Sequence, residues 1–214
     1  MVKEFEIVIA IENDRKRIVE FLRASFYKHE PLNVVNGTTN GPDSDAIYSL
    51  SFLSEGKSLL ALSKSGQIIG VCLNGEDTPG MIKNRKDYMS RQTCNSYSRI
   101  LDFLNKVEHS VDVWKLTGAD RALHIHLLAV DLAFGGRGIG RALMERTRDI
   151  AQSAKYPLLY VLCSSFFSAK AAEKMGMKCI YSLPYSAYTD DTGKPYITPP
   201  FPHTQVKILI QQLL

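Results

Sequence analysis

Apolar and polar positions trade places with two different periods along this chain. Residues 5–11 alternate through Phe5, Ile7, Ile9 and Ile11 with a β-branched bias, which predicts a first strand. Asn13 and Asp14 then offer helix caps. Ile18, Phe21, Leu22, Ser25 and Phe26 follow at i, i+3, i+4, i+7 and i+8, one buried helical face. Pro31 disfavours helix at the residue before it, so Glu30 should sit at a helix exit, with a loop beginning there. Asn36-Gly37, Asn40-Gly41 and Pro42 keep that loop irregular, and residues 43–53 can form a short helix. The apolar runs 58–62 and 67–73, joined across Lys64-Ser65-Gly66, read as a hairpin, and 75–83 as a loop. Ile100, Leu101, Phe103, Leu104 and Val107 make a helical stripe. A strand from Leu123 then runs into a glycine-rich turn and a helix. On that helix Ile139, Ala142, Leu143, Ile150 and Ala151 face inward, and Arg141, Glu145, Arg148 and Asp149 face water. Residues 157–163 read as a buried strand, 164–175 as a helix stopped by Gly176, and 177–183 as a strand. A loop over 188–203 leads to a last strand over 206–213. This order predicts a mixed α/β sheet flanked by helices.

The length suits a single domain spanning residues 1–214. A formal net charge of +4 suits an anionic ligand, but it is spread too thinly to suggest nucleic acid. Cys72, Cys94, Cys163 and Cys179 have no metal or redox spacing. Three of them (Cys72, Cys163 and Cys179) lie in apolar strand-like runs and read as small core residues, which a reducing compartment explains most simply. The charged start of the chain is not a signal peptide, and no apolar run reaches membrane-spanning length. A cytoplasmic protein without a membrane partner is therefore expected. The oligomeric state stays open, a monomer included.

The turn Gly135-Gly136-Arg137-Gly138-Ile139-Gly140 carries the first chemical signal. A glycine turn that opens a helix presents free N–H groups at the positive end of the helix dipole, which is a phosphate cradle. A dinucleotide fingerprint fails on spacing, because Arg141 or Leu143 stands where its last glycine belongs. A Walker loop fails because Arg141-Ala142 replaces Lys-Ser/Thr, so no hydroxyl is available for magnesium. What remains is a metal-free cradle, basic at Arg137 and Arg141, suited to a diphosphate; a tight ligand-free connection is the plainer alternative.

Here the chain resembles the GCN5-related N-acetyltransferase (GNAT) superfamily, whose turn Gln/Arg-x-x-Gly-x-Gly/Ala follows a Leu-Ala-Val-like strand. Gly138 and Gly140 match, and Gly135 stands where Gln or Arg is usual. The resemblance implies a GNAT fold, with a mixed twisted sheet whose strands splay around acetyl-coenzyme A. It implies that the pyrophosphate sits on Gly135, Gly136, Arg137, Gly138, Ile139, Gly140, Arg141 and Ala142. It also implies that Leu128, Ala129 and Val130 pair with the pantetheine arm, the Val130 N–H becoming an oxyanion donor if the strand bulges there.

Three further segments narrow the family. Phe26-Tyr27-Lys28-His29-Glu30-Pro31-Leu32-Asn33, Cys163-Ser164-Ser165-Phe166-Phe167-Ser168-Ala169 and Pro199-Pro200-Phe201-Pro202-His203 are similar to segments of insect arylalkylamine (dopamine) N-acetyltransferases. That resemblance implies Glu30 as general base, Ser164 in the active site, and Ser168 placed to help the departing thiolate. An alkylammonium must lose a proton before it attacks a thioester, and a carboxylate can take it. By position alone, Glu30 could equally be a solvated residue at a helix end.

His124 and His126 compete for the base role. Two apart in a strand, they share a face, and they resemble the His-x-His of vertebrate serotonin N-acetyltransferases, where such a pair is thought to pass the proton outward. They could also be hydrogen-bonded core histidines. A zinc pair has no third ligand at metal spacing, so no metal is expected. Where many superfamily members carry an acidic tyrosine, this chain has Ala172. Ser164 and Ser168 could instead cap a helix. Tyr185, Tyr188 and Phe201 could wall an aromatic pocket. The expected reaction is direct acetyl transfer in a ternary complex to a primary amine, an arylalkylamine first; polyamines, histamine, a longer acyl chain or a non-catalytic acyl-coenzyme A binding module are the alternatives.

Overall fold

The computed structural model describes residues 4–39, 48, 50–81 and 95–213. The expected helix over 43–53 and loop over 75–83 lie partly outside them, as does Cys94. Among the described residues, seven strands form one sheet: β1 (Phe5–Ile9), β2 (Leu59–Ser63), β3 (Ile68–Asp77), β4 (Ala122–Val130), β5 (Leu158–Cys163), β6 (Lys178–Pro184) and β7 (Gln205–Gln212). Their order is β1-β2-β3-β4-β5-β7-β6. Only β4 and β5 run parallel; the other neighbours are antiparallel.

Helices cover both faces. Before β2 come α1 (Arg15–Phe21) and α2 (Pro31–Asn36); α3 (Asn95–Glu108) and α4 (Val113–Thr117) precede β4. Then α5 (Ile139–Ser153) joins β4 to β5, and α6 (Phe166–Lys174) joins β5 to β6. One core layer packs Ile139, Leu143, Met144 and Ala151 of α5 with Ala169 and Ala172 of α6 against Leu123, Ile125, Leu159 and Val161. The opposite face buries Leu32, Phe103, Tyr160 and Tyr185 in one cluster, and Ile18, Leu22, Tyr27, Leu127 and Ala129 in another.

The expected helix after β1 does not keep one period. A π turn over Leu22–Phe26 interrupts it, followed by one α turn over Tyr27–His29. The wider turn inserts a residue, so the stripe Ile18, Phe21, Leu22, Ser25 continues into Tyr27, and Phe26 is only half-buried. Strand β3 also outruns its expected end at Leu73. Asn74, buried, donates through Nδ2 to the Lys57 carbonyl (2.8 Å) and to Thr147 Oγ1 (3.0 Å). Gly75 can continue the strand because the Phe52 ring lies where a side chain would start; a Cβ there would stand 2.1 Å from Cδ1. Cys72 and Cys163 are buried as expected, whereas Cys179 is exposed because β6 is an edge strand.

Two irregularities of β4 set up the site. Its register against β3 steps from Leu73↔Leu127 to Asn74↔Ile125, leaving His126 as a bulge. The bulge reverses which residues face which layer. Leu123 and Ile125 lie with the α5 layer before it, Leu128 and Val130 after it, and Leu127 and Ala129 turn to the other face. Pairing with β5 then stops at Ile125↔Val161, so the rest of β4 parts from β5.

Candidate active site

Glu30 closes one helix and opens the next. Its backbone is extended (φ −68°, ψ 127°), as a residue before proline prefers, and Pro31 begins α2 rather than the expected loop. As the N-cap of α2, Glu30 accepts through Oε2 from the Asn33 backbone N–H (2.8 Å) and from Asn33 Nδ2 (2.7 Å). Ser164, just past the end of β5, donates its hydroxyl to Oε1 (2.6 Å). The side chain is not solvated: Glu30 is 9% exposed. Burial pushes its carboxyl above the ordinary range, while the Ser164 hydroxyl and the Asn33 and Leu32 groups pull the other way.

The histidine pair belongs to a different cluster. His124 and His126 have ring centroids 4.0 Å apart, and His124 Nδ1 meets Asp77 Oδ2 at 2.7 Å. Tyr160 stands edge-on to His124 at 4.4 Å, and Phe52 stacks on His126 at 4.0 Å. The third ligand-type group missing from the sequence reading is therefore present. Asp77, His124 and His126 offer atoms within 4.8 Å of one another. Asp77 and His126 each keep a further contact as well. Tyr160 precedes Ser164 by four residues of nearly straight β5, about 13 Å at a strand's rise. The structure thus brings Glu30 to Ser164 and leaves the histidines further down the sheet.

The outer amides of the glycine turn are engaged within the chain. The Gly135 N–H bonds the Leu132 carbonyl (3.0 Å) and the Ala142 N–H bonds the Gly138 carbonyl (2.9 Å), so these two amides are spent. Gly136, Arg137, Gly138, Ile139, Gly140 and Arg141 lie between. Gly136 and Gly138 hold φ near +75°, which L side chains rarely adopt, and this bends the amides into a fan ahead of α5. Arg137 and Arg141, expected to lend positive charge, are engaged by Glu4 (3.2 Å) and Glu145 (2.8 Å) in exposed pairs.

Beside the turn, the open edge of β4 is polar backbone. The bulge lies at His126, not at Val130. The Val130 amide is nonetheless directed outward. Asp131 N–H bonds Ile69 O on β3 (3.0 Å), and successive strand amides alternate sides, so the Val130 N–H points into the gap left by β5.

Ser168 has a local role in this structure: its Oγ donates to the Ser165 carbonyl (3.0 Å). The N-cap of α6 is Ser165, which neither serine reading anticipated; its Oγ accepts from the amides of Phe167 and Ser168. Burial pushes the Cys163 and Cys72 thiols up to about 12, so neither is a ready nucleophile. Tyr185 is buried and donates to the Ser164 carbonyl (2.5 Å), tying the wall of the site to its hydroxyl residue. Tyr188 packs on Phe103 (4.9 Å), whereas Phe201 is 91% exposed and walls nothing. The contacts of Asn33 with Glu30 and of Asp77 with His124 were not foreseen from the sequence. The capping spacing from Glu30 to Asn33 could have flagged the first.

The sheet parts toward the ends of β4 and β5, with the glycine turn beyond one strand and the buried Glu30 carboxylate beside Ser164 beyond the other. Residues 16–177 match the acetyltransferase (GNAT) family, and the chain belongs to it; the family works with acetyl-coenzyme A. Among solved structures, the fold is shared with arylalkylamine N-acetyltransferase 2 from Aedes aegypti (TM-score 0.92, 23% identity, 99% of this chain and 100% of that one). A mosquito arylalkylamine N-acetyltransferase like 5b is similar over 98% of this chain and 100% of its own (0.88, 26% identity). A Drosophila melanogaster polyamine N-acetyltransferase, described as forming N-acetylagmatine, is similar over 97% and 100% (0.84, 27% identity).

Proposed function

We propose that the protein transfers acetyl from acetyl-coenzyme A to a primary amine of the arylalkylamine class by direct attack, with Glu30 as general base. The observation that carries this reading is the part-buried contact between Glu30 Oε1 and Ser164 Oγ at 2.6 Å, just past the end of β5. The amides of residues 136–141 suit the pyrophosphate of the coenzyme, and the free edge of Leu128–Val130 suits its pantetheine amides.

The ammonium gives its proton to Glu30, directly or through Ser164. The freed nitrogen then attacks the thioester carbon. The Val130 N–H receives the developing oxyanion; as the carbon–sulfur bond breaks, the attacking nitrogen gives up its second proton and the departing thiolate takes one up, so that amide and thiol both leave neutral. Ser168, in the first turn of α6, is the residue this reading assigns to that protonation. Raised basicity suits Glu30, because a base poised near the working pH accepts a proton more readily than an ordinary carboxylate.

The likeness to a polyamine N-acetyltransferase at 27% identity supports a second reading in which the acceptor is a polyamine or agmatine. Thiol-release turnover with dopamine, serotonin, tyramine, tryptamine, histamine, agmatine and putrescine separates the two. Arylalkylamines should give the higher kcat/KM, and a preference for agmatine or putrescine would transfer the assignment to the second reading.

A further inference from the structure

The cap on α2 would be complete without the Asn33 side chain, because the Asn33 backbone N–H already meets Glu30 Oε2 at 2.8 Å. The side chain adds a second donor to the same oxygen, Nδ2 at 2.7 Å, from a residue only 4% exposed. Asn33 is itself held. Thr38, five residues on, donates its hydroxyl to Asn33 Oδ1 (2.8 Å), and its backbone N–H bonds the Asn33 carbonyl (3.0 Å). With Oδ1 occupied by a hydroxyl donor, the amide must present Nδ2, not Oδ1, to the carboxylate. A flipped amide would set oxygen against oxygen, which is tolerable only opposite a protonated acid.

We infer that Asn33, locked by Thr38, is a positioning residue for Glu30: it pins Oε2, leaving Oε1 to Ser164 and the incoming amine. This rests on Glu30 being the base. The contact goes beyond orientation, because a donor aimed at a carboxylate stabilises its ionised form against the cost of burial. Removing the donor therefore raises the pH at which Glu30 ionises. The chain Thr38–Asn33–Glu30–Ser164 links the end of α2 to the end of β5, two segments that no sequence spacing connects.

The test compares pH profiles of kcat/KM for the wild type, Asn33→Ala, Thr38→Val and Thr38→Ser, with the same amine, so that the substrate's own ionisation is common to all. Alongside them, the Glu30 carboxyl is titrated directly by carbon-13 NMR. In Asn33→Ala the acid limb should move to higher pH by about one to two units, the size of one hydrogen bond to a charged group. Thr38→Val should move it the same way by less than about one unit, and Thr38→Ser should restore the wild-type limb. If Glu30's own titration stays at its wild-type position in Asn33→Ala and Thr38→Val, the positioning role is overturned, even where activity has dropped. If that titration moves while the rate limb does not, the positioning stands and Glu30 is not the base. Should Asn33→Ala fail to bind coenzyme by calorimetry, Thr38→Val alone decides, because it leaves the buried amide in place.

Discussion

Glu30 is held between opposing effects, and their signs determine what its variants should do. Burial favours the neutral acid; donation from Ser164, the strongest of the opposing groups, favours the carboxylate. Ser164→Ala should therefore raise the pH of the acid limb and lower kcat/KM near neutrality, with the rate recovering as pH rises. Glu30→Gln should lower kcat/KM by about 10²- to 10⁴-fold and abolish the limb, as loss of a general base does. An unchanged limb in Glu30→Gln would remove Glu30 from the role. At this scale the sequence was only partly legible. Glu30, Ser164 and Ser168 were singled out by the family resemblance of their segments, but Asp77 meets His124 across 47 residues, and only the pairing of β3 with β4 brings them together.

Among the elements, periodicity located every strand and most helices, because burial of one face is written into spacing. It failed where the backbone departs from a regular period. The π turn over Leu22–Phe26 moves the buried aromatic from Phe26 to Tyr27, and the bulge at His126 changes the faces of β4. Gly75 extends β3 for a reason outside the strand itself, the Phe52 ring. Gly75→Ala should destabilise the fold by about 1–3 kcal/mol through overpacking, and Phe52→Ala should relieve part of that cost in a double-mutant cycle of thermal or denaturant unfolding. The adjacent serines separate capping from chemistry. Ser165→Ala should cost about 1 kcal/mol of stability as a lost N-cap and leave the acid limb in place, while Ser164→Ala should do the reverse. Equal losses of stability in both would assign Ser164 a capping role too.

For the whole molecule, the decisive feature is that β4 and β5 pair only as far as Ile125 and Val161, so the glycine turn that follows β4 and the Glu30–Ser164 contact that follows β5 both lie beyond the parting along their strands. The glycine turn suggested a cradle in the sequence; the parting of the strands was implied only by family resemblance, since it is a property of two chain segments together. Coenzyme binding should slow deuterium exchange at the amides of Leu128 and Val130, and it should raise Tm, by about 2.7 kcal/mol of stabilisation at a hundredfold excess over Kd. Exchange unchanged by saturating coenzyme would place the pantetheine elsewhere. The account as a whole meets its most direct test in steady-state thiol release from acetyl-coenzyme A, measured against pH with and without an arylalkylamine. It predicts amine-dependent release with an acid limb that disappears in Glu30→Gln. Bound coenzyme with no amine-dependent release across the panel would contradict it.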